Sequence, residues 1–148
     1  MAKKAEQSKS AAAPKKERYV QGVGRRKTAV ARVRVFSSAT GLKEDEITVN
    51  GRSLASYFSL KRDQLTVKAP FKVLSLKPTK ASVKVSGGGL NSQAEAVRLG
   101  ISRALVELNP VWRPKLKAYG FLKRDPRMVE RKKFGSRKAR RPQQWRKR

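Results

Sequence analysis

Apolar residues alternate with polar ones in three segments of the chain, and this period of two predicts β-strands. The segment EITVN is followed by Gly51, so it predicts a strand that ends in an Asn50-Gly51 turn. The segment ASVKVSGG predicts another strand with Val83 and Val85 on one face. The segment TAVARVRVF alternates most fully, with one set of side chains on each face: Ala29, Ala31, Val33 and Val35 against Val30, Arg32, Arg34 and Phe36.

Helical spacing of apolar residues predicts the main helix in the segment NSQAEAVRLGISRALVELN. Gly100 lowers the helical stability of this segment by about 1 kcal/mol relative to alanine, and such a glycine is typical of close packing against a sheet. Asn109-Pro110 ends the helix, and PVWRPKLKAY predicts a short final helix that stops at Gly120. The apolar face of the main helix comprises Ala94, Val97, Ile101, Ala104, Leu105 and Leu108.

The remaining segments complete an α+β pattern, in which strands come first and helices later. SLASYF predicts a short helix capped by Ser53, whereas DQLTVKAPFKVLSL is ambiguous because Pro70 interrupts it. The folded domain is predicted to span residues 19–120. Residues 1–18 are polar and low in complexity, which predicts a disordered basic arm, and residues 121–148 form a basic tail without apolar periodicity.

Charge decides which partners are compatible with the chain. Lysine and arginine outnumber aspartate and glutamate by 38 to 10 among 148 residues, for a net charge of +28. A compact state with this charge repels itself unless a polyanion neutralises it. Nucleic acid is favoured over a lipid surface, because no stretch approaches the roughly 20 apolar residues of a membrane span and no long basic helix carries a wide apolar face.

Cysteine and histidine are both missing from the sequence, which narrows the possible chemistry. Without them the chain has no disulfides, no thiolate metal sites and neither a Ser-His-Asp nor a Cys-His catalytic set. No cofactor is expected. The N-terminal segment has no apolar core of the kind found in signal peptides, so we expect a cytoplasmic protein.

Two glycine-containing segments resemble phosphate-binding elements. In GVGRRKT, one residue separates the glycines where a nucleotide-binding loop needs four, so we reject that interpretation. The segment is better explained as the basic start of a strand that places Arg25, Arg26 and Lys27 against phosphates, with a solvated turn as the alternative. SGGGLNSQAEA leads into a helix N-terminus, which suits a phosphate, but it is equally consistent with a tight crossover.

The aromatic residues divide into two groups. Five aromatic residues are expected in the core: Tyr57, Phe58, Phe71, Trp112 and Phe121. Phe134 and Trp145 have no core to join, because Arg131–Arg148 holds ten basic residues and no acidic one, so they are candidates for stacking on RNA bases. Asp125 and Glu130 are expected to pair with neighbouring cations. The cluster Glu44-Asp45-Glu46 is typical of a solvated turn rather than a metal site.

Five segments occur in a fixed order: GRRKTAVARVRV, ITVNGR, SGGGLNSQAEAVRLGISRAL, LKAYGFLKRDPRMVERKKFG and KARRPQQWRKR. Together they closely resemble the bacterial-type ribosomal protein S9 of the small subunit, from Tyr19 to Arg148. The resemblance implies a small mixed sheet with helices packed on it, like the second domain of ribosomal protein S5. It also implies a cytoplasmic, ribosomal protein that is not an enzyme, binds ribosomal RNA in the head of the subunit and has neighbouring head proteins as partners.

The resemblance further implies that the tail is long and extended, and that its tip reaches the anticodon stem-loop of the tRNA in the peptidyl site. The terminal pair Lys147-Arg148 matches the family, whereas Arg146 stands where the family usually has serine; all three are assigned to tRNA binding. Binding of ribosomal RNA is assigned to basic residues of the first strands and of the tail: Arg25, Arg26, Lys27, Arg32, Arg124, Arg127, Arg131, Lys132, Lys133, Arg137, Lys138, Arg140 and Arg141.

Two other classes of protein are compatible with the composition. One is a non-specific DNA-binding or architectural protein, which would follow the nucleoid rather than small ribosomal subunits on sedimentation. The other is an enzyme such as a phosphotransferase that uses the segment GGGLNS, although the chain lacks a general base, a metal cluster and a correctly spaced phosphate loop. The order of the five segments favours the ribosomal interpretation.

Overall fold

A mixed β-sheet forms one layer of the domain. The computed structural model of the protein describes residues 18–38, 41–42, 47–76 and 79–144. The strands follow the order β1-β2-β6-β4-β5 across the sheet, with β3 paired to the end of β2. Neighbouring strands are antiparallel except for the parallel pair β4 and β6. Their bounds are β1 (Tyr19–Arg26), β2 (Ala29–Ser38), β3 (Gly41–Leu42), β4 (Ile47–Val49), β5 (Arg52–Ser53) and β6 (Ala81–Ser86).

Helices are interleaved with the strands rather than following them, so the expected order of strands first and helices later is wrong, although the α+β class is confirmed. The main helix and the short final helix lie where the sequence predicts them, and the Ser53 side chain caps the first helix by accepting a hydrogen bond from the Ser56 N–H. The helices are α1 (Leu54–Tyr57), α2 (Lys61–Val73), α3 (Leu90–Leu108) and α4 (Arg113–Ala118), with a 3₁₀ turn over Pro110–Trp112.

The ambiguous segment before β6 is the helix α2, and Pro70 lies inside it. Pro70 is three residues from the helix end and is itself buried, together with Val67 and Phe71 on the same face. Burial of this face against α3 outweighs the backbone hydrogen bond that proline removes. Tertiary packing therefore determines the secondary structure of a segment for which intrinsic propensity alone gives no answer.

The core lies between one face of the sheet and the helices. The inward side chains of β2 are fully buried, as the alternation predicts, and Val83 and Val85 of β6 lie beside them. On α3 the predicted apolar face is buried, with Leu108 half-buried at its end. The predicted core aromatics also join it: Phe58 and Phe71 are buried, and Tyr57, Trp112 and Phe121 pack against the cluster. On the opposite face of the sheet, the side chains of Arg32, Arg34 and Lys84 are exposed.

Glycines bring α3 into backbone contact with β1. A β-carbon on Gly24 would lie 1.8 Å from the Ala96 carbonyl oxygen, and one on Gly22 would lie 2.1 Å from the Gly100 carbonyl oxygen. Gly100 of the helix is equally confined, because its β-carbon would meet Val33 at 2.6 Å. The expected role of Gly100 in close packing is confirmed. The same contact explains why β1 is missing from the predicted strands, since two of its inward positions, Gly22 and Gly24, are glycines rather than apolar side chains.

The tail beyond Gly120 is not extended throughout. A short hairpin pairs β7 (Ser136–Lys138) with β8 (Arg141–Pro142), and a register shift lies in β7. Gly135 precedes it with a φ of 71°, a conformation that glycine adopts without strain. Local backbone hydrogen bonds thus form in this stretch without a core, and the extended reach of the tail stays a prediction. The N-terminal arm (1–17), Glu44-Asp45-Glu46 and the tail tip (145–148) lie outside the described residues.

Candidate nucleic-acid interface

The face of the sheet that points away from α3 is strongly basic, and we call it the open face. Strand register places Arg32 of β2 between Val23 of β1 and Lys84 of β6. Arg32 and Lys84 are both exposed. Lys84 is a site residue that the sequence analysis missed, although the alternation of ASVKVSGG places it on the face opposite Val83 and Val85.

A shallow groove of about 490 Å³ crosses the open face. Three cationic side chains surround it, Val30 and Val85 form part of its lining, and the described residues that line it include no carboxylate. Such a groove offers bidentate arginine donors, a lysine point charge and a hydroxyl, which are the groups that phosphate oxygens accept from. The lining residues are Arg25, Val30, Arg32, Lys84, Val85 and Ser86.

Cations over aromatic rings extend the basic surface along the open face. Arg34 lies 5.0 Å from the centre of the Tyr19 ring, and Lys80 lies 5.4 Å from the centre of the Phe36 ring. The two rings contact each other edge to face at 6.0 Å. These contacts hold the cations at fixed places beside the groove. The positive charge of the open face therefore runs from Arg25, near the end of β1, to Arg34, which lies beside Tyr19 at the start of β1.

Arg26 does not share this surface, although the sequence analysis groups it with Arg25 and Lys27. Its position on β1 faces inward, opposite Ala29, and only 9% of the residue is exposed. The guanidinium Nε donates to Glu95 at 2.5 Å and forms an ion pair with Asp125 at 3.1 Å. These bonds engage Arg26 within the protein, which removes it from the candidate phosphate contacts.

Lys27 and Arg124 lie together at the turn between β1 and β2. Lys27 has a φ of 50°, in the left-handed region, and it is exposed in the turn. Its carbonyl oxygen accepts a hydrogen bond from the Arg124 guanidinium at 3.5 Å. The turn thus places three exposed cations, Arg25, Lys27 and Arg124, at one corner of the domain.

Arg127 and Asp125 form the pair that the sequence predicts. The Arg127 guanidinium donates to both carboxylate oxygens of Asp125, and the Arg127 backbone N–H donates to one of them at 2.9 Å. These hydrogen bonds, together with the nearby charge of Arg26, hold the pKa of Asp125 well below its usual range. The same carboxylate raises the pKa of Arg127, whose side chain is 84% exposed.

The tail carries a second basic surface. Phe134 is 97% exposed, in accord with the expectation that it has no core to join. Arg140 donates to Glu130 at 2.8 Å, which confirms the predicted pairing of that carboxylate. Trp145 and the three residues assigned to tRNA, Arg146, Lys147 and Arg148, lie outside the described part of the chain. The described basic residues of the tail beyond Arg127 are all exposed: Arg131, Lys132, Lys133, Arg137, Lys138, Arg140 and Arg141.

The glycine-rich segment before α3 has the geometry of a tight crossover. Gly87 and Gly88 both have positive φ, and a β-carbon on Gly87 would lie 2.6 Å from the Thr28 carbonyl oxygen. The Gln93 side chain donates to the Gly87 carbonyl oxygen at 3.0 Å and accepts from the Tyr57 hydroxyl at 2.8 Å. These contacts favour the crossover over the phosphate-binding alternative, because they already account for the small residues and the loop shape.

The fold and its surfaces define a class: an α+β domain of two layers, a sheet and the helices packed on one of its faces, with a basic open face and a basic tail, suited to a polyanionic partner. Within the described residues, no group of acidic side chains could hold a metal ion. None of the helices in that part of the chain is long and apolar enough to span a bilayer.

Comparison with known proteins identifies the family. The family described as "Ribosomal protein S9/S16" matches residues 24–148, so the chain belongs to this family. Proteins named "Small ribosomal subunit protein uS9" are similar along most of their length. The one from Desulfovibrio desulfuricans is 49% identical over 134 residues, which cover 89% of this chain and 98% of the relative. Those from Amoebophilus asiaticus and Anaeromyxobacter sp. strain K are 47% and 50% identical, covering 87% and 85% of this chain and 98% and 94% of theirs.

Family membership fixes the general role of the chain. It is a structural constituent of the small ribosomal subunit, which in bacteria works in the cytoplasm, and it is not an enzyme. The ribosomal interpretation therefore replaces the DNA-binding and phosphotransferase alternatives.

Proposed function

We propose that the protein binds ribosomal RNA through two surfaces, the open face of the sheet and the basic tail. The observation that carries this proposal is the placement of Arg32 directly opposite Lys84 on neighbouring strands. Like charges in directly opposed cross-strand positions destabilise a sheet. A phosphate backbone lying across the groove would replace that repulsion with charge-assisted hydrogen bonds.

RNA suits this surface better than a protein anion does. An A-form helix hides its base edges in a deep, narrow groove, so proteins mainly contact its phosphates, 2′-hydroxyls and shape. The open face offers a row of cations with a fixed spacing, and the Ser86 hydroxyl beside them. Arginine supplies bidentate phosphate contacts, and lysine supplies a point charge. Sequence-independent binding of a folded RNA follows from this combination.

The proposed RNA-binding set differs from the sequence-based one at two residues. Arg26 is left out because its guanidinium is engaged by Glu95 and Asp125, and Lys84 is added because it lines the groove. Arg127 and Arg140 are partly neutralised by their carboxylate partners and contribute less. The set comprises Arg25, Lys27, Arg32, Lys84, Arg124, Arg127, Arg131, Lys132, Lys133, Arg137, Lys138, Arg140 and Arg141.

The tail tip extends the proposal to tRNA. We propose that Arg146, Lys147 and Arg148 contact the anticodon stem-loop of the tRNA in the peptidyl site, and that head proteins of the subunit lie beside the domain. Residues 128–148, if extended, reach up to about 70 Å, and the hairpin shortens this span by a few residues. A domain of about 100 residues has a radius of gyration near 13 Å. The tail therefore has the length to act well away from its domain.

A charge-matched comparison tests the RNA surface. In one variant, Arg25, Arg32 and Lys84 on the open face are replaced by glutamine. In the control variant, glutamine replaces Lys61, Arg62 and Lys68, which are exposed on α2. We expect the first variant to bind ribosomal RNA of the subunit head at least about tenfold more weakly than the control, a difference of about 1.4 kcal/mol. Equal losses would mean that total charge matters and position does not, which would overturn the proposal.

A further inference from the structure

The first residues of the tail, Phe121–Arg127, are fastened to the domain, and we call them the tail root. Phe121 lies under the Arg98 guanidinium of α3, 4.9 Å from the ring centre. Arg124 donates to the Lys27 carbonyl oxygen in the turn between β1 and β2. Asp125 and Arg127 meet Arg26 at the end of β1. These contacts involve both members of the packed pair formed by β1 and α3.

Arg26 uses every nitrogen of its guanidinium at this junction. Nε donates to the Glu95 carboxylate in the second turn of α3. NH1 donates to the backbone carbonyl oxygens of Arg127 at 2.7 Å and Asp125 at 3.3 Å. NH2 lies 3.1 Å from the Asp125 carboxylate. One planar side chain thus links a strand, a helix and the tail root, which are about 70 and 100 residues away from it in sequence.

The partners of the tail's hydrogen bonds change at Arg127. Beyond it, the hydrogen bonds of the described residues from Arg140 to Glu130 and from Ser136 to Lys133 are internal to the tail. The residues that follow directly, Met128 and Val129, are 58% and 89% exposed. The end of the tail root is therefore the boundary between chain that is held by the domain and chain that is not.

We propose that Arg26 is a positioning residue that fixes where, and in which direction, the C-terminal tail leaves the domain before RNA is bound. Because Arg26 donates to backbone carbonyl oxygens as well as to a carboxylate, it fixes the path of the chain and does not act only as a charge. Ordering the root in advance removes part of the entropy cost of placing the tail on its target. The consequence for tRNA rests on the proposed function of the tail tip, whereas the positioning itself does not.

Distance measurements on the free protein test the positioning. The chain contains no cysteine, so spin labels can be placed at only the chosen sites, Glu107→Cys on the exposed side of α3 and Val129→Cys just beyond the root. We expect a narrow distance distribution in this background. Arg26→Gln should broaden it to a width on the order of 10 Å, as expected for a flexible segment of the five residues from Asp125 to Val129. Asp125→Asn should broaden it in the same direction.

The control is Arg25→Gln, which removes the same charge from the adjacent residue but faces the groove instead of the root. It should leave the distribution narrow. Arg26→Lys keeps the charge, but its three N–H donors lie on one nitrogen and cannot span the partners of the planar guanidinium, so it should restore little of the wild-type width. Because Asp125 lies outside the core, Asp125→Asn decides the question if Arg26→Gln does not fold. A distribution as narrow as wild type in folded Asp125→Asn protein would overturn the proposal.

A second experiment, on assembled subunits, distinguishes this proposal from the proposal about the tail tip. Subunits containing Asp125→Asn protein should release peptidyl-site tRNA roughly two- to fivefold faster, or about 0.4–1 kcal/mol. The thermal unfolding midpoint of the free protein should fall by much less than it would for a core substitution, because Asp125 holds the tail root and lies outside the core. If deletion of Arg146–Arg148 has no effect on tRNA, the tip proposal fails. The distance distributions still decide whether Arg26 positions the tail.

Discussion

Arg32 on β2 lies directly opposite Lys84 on β6, and both side chains are exposed on the open face of the sheet. A free protein loses stability through such a pair, whereas a protein bound to phosphates gains from it. On the proposed function, the domain therefore keeps a surface that is electrostatically unfavourable until RNA binds. This relationship predicts opposite effects of one substitution on stability and on binding.

Lys84→Gln should stabilise the free protein and weaken its binding to ribosomal RNA. Removing one of two opposed like charges should raise the free energy of unfolding by about 0.2–1 kcal/mol. Chemical denaturation and an RNA-binding titration measure the two effects. The control Lys68→Gln removes one charge from the exposed side of α2 and should change both quantities less. A variant that loses stability and binding together would contradict the interpretation.

Binding to ribosomal RNA should depend steeply on salt. Each neutralised phosphate contributes about 0.7–0.9 to the slope of log K against log salt concentration, so at least six contacts give a slope steeper than about −5. Affinity measured at several salt concentrations supplies this slope. Removing Arg25, Arg32 and Lys84 should reduce its magnitude by about 2–3. A slope near −1 for the wild-type protein would show that most of its charge lies away from the interface.

Gly24→Ala should destabilise the domain strongly. The added β-carbon would come within 1.8 Å of the Ala96 carbonyl oxygen, so α3 must move away from β1. Overpacking of this kind costs about 3 kcal/mol or more where backbone has to shift. The control Gly89→Ser places a side chain in open space at the N-cap of α3, where serine is favoured. Thermal or chemical unfolding of both variants tests the prediction, and equal midpoints would refute it.

The tail root should stay fastened across the physiological pH range and loosen only in acid. The pKa of Asp125 is lowered in the folded protein by its hydrogen bonds to Arg127 and by the charge of Arg26. A carboxylate with a lowered pKa stabilises the fold at pH values above its unfolded pKa of about 3.9, and this contribution is lost as the pH falls below that value. The groups that face it here are Arg26, Arg127 and, across Arg26, Glu95.

The spin-label distance between residues 107 and 129 measures this pH dependence. We expect the same narrow distribution at pH 8 and pH 5 and a broader one well below about pH 3.9. Glu95→Gln separates the contribution of the second carboxylate. Broadening between pH 8 and pH 5 would contradict the role assigned to Asp125.

Deleting Arg146–Arg148 should leave subunit assembly largely intact and loosen tRNA in the peptidyl site. The open face and the described part of the tail retain most of the proposed phosphate contacts, and exposed ion pairs contribute little individually. We expect a loss of two- to tenfold in affinity, or about 0.4–1.4 kcal/mol. The measurement is tRNA dissociation from purified subunits at fixed salt and magnesium concentrations.

A charge-matched control replaces Lys3, Lys4 and Lys9 of the N-terminal arm by glutamine, which should not affect tRNA. Replacing Arg148 by glutamate should weaken tRNA binding more than deleting Arg148, because it sets a negative charge against phosphate. If subunits assemble normally after the deletion and hold tRNA as the wild type does, the assignment of the tip to tRNA binding is wrong.

The sequence by itself determined the regular parts of the fold and the charge of the partner. The alternation in β2 and β6 and the helical spacing of α3 follow directly from side chains that divide between core and water. The Asn50-Gly51 turn is equally local, since both residues adopt the positive φ that a hairpin turn needs. The net charge of +28 requires a polyanion whatever the fold.

Only the tertiary structure decided the features that depend on what lies next to a residue. Strand β1 has glycines at two of its inward positions, Gly22 and Gly24, so no apolar alternation marks it, and its place depends on backbone contact with α3. The α2 helix continues through Pro70 because its other side chains are buried. Arg25 and Arg26 are adjacent residues of the same type. Arg25 nevertheless faces the groove, whereas Arg26 links Glu95 to Asp125. A charge that is paired inside the protein looks the same in a sequence as one that awaits RNA, because the partner that distinguishes them is distant along the chain.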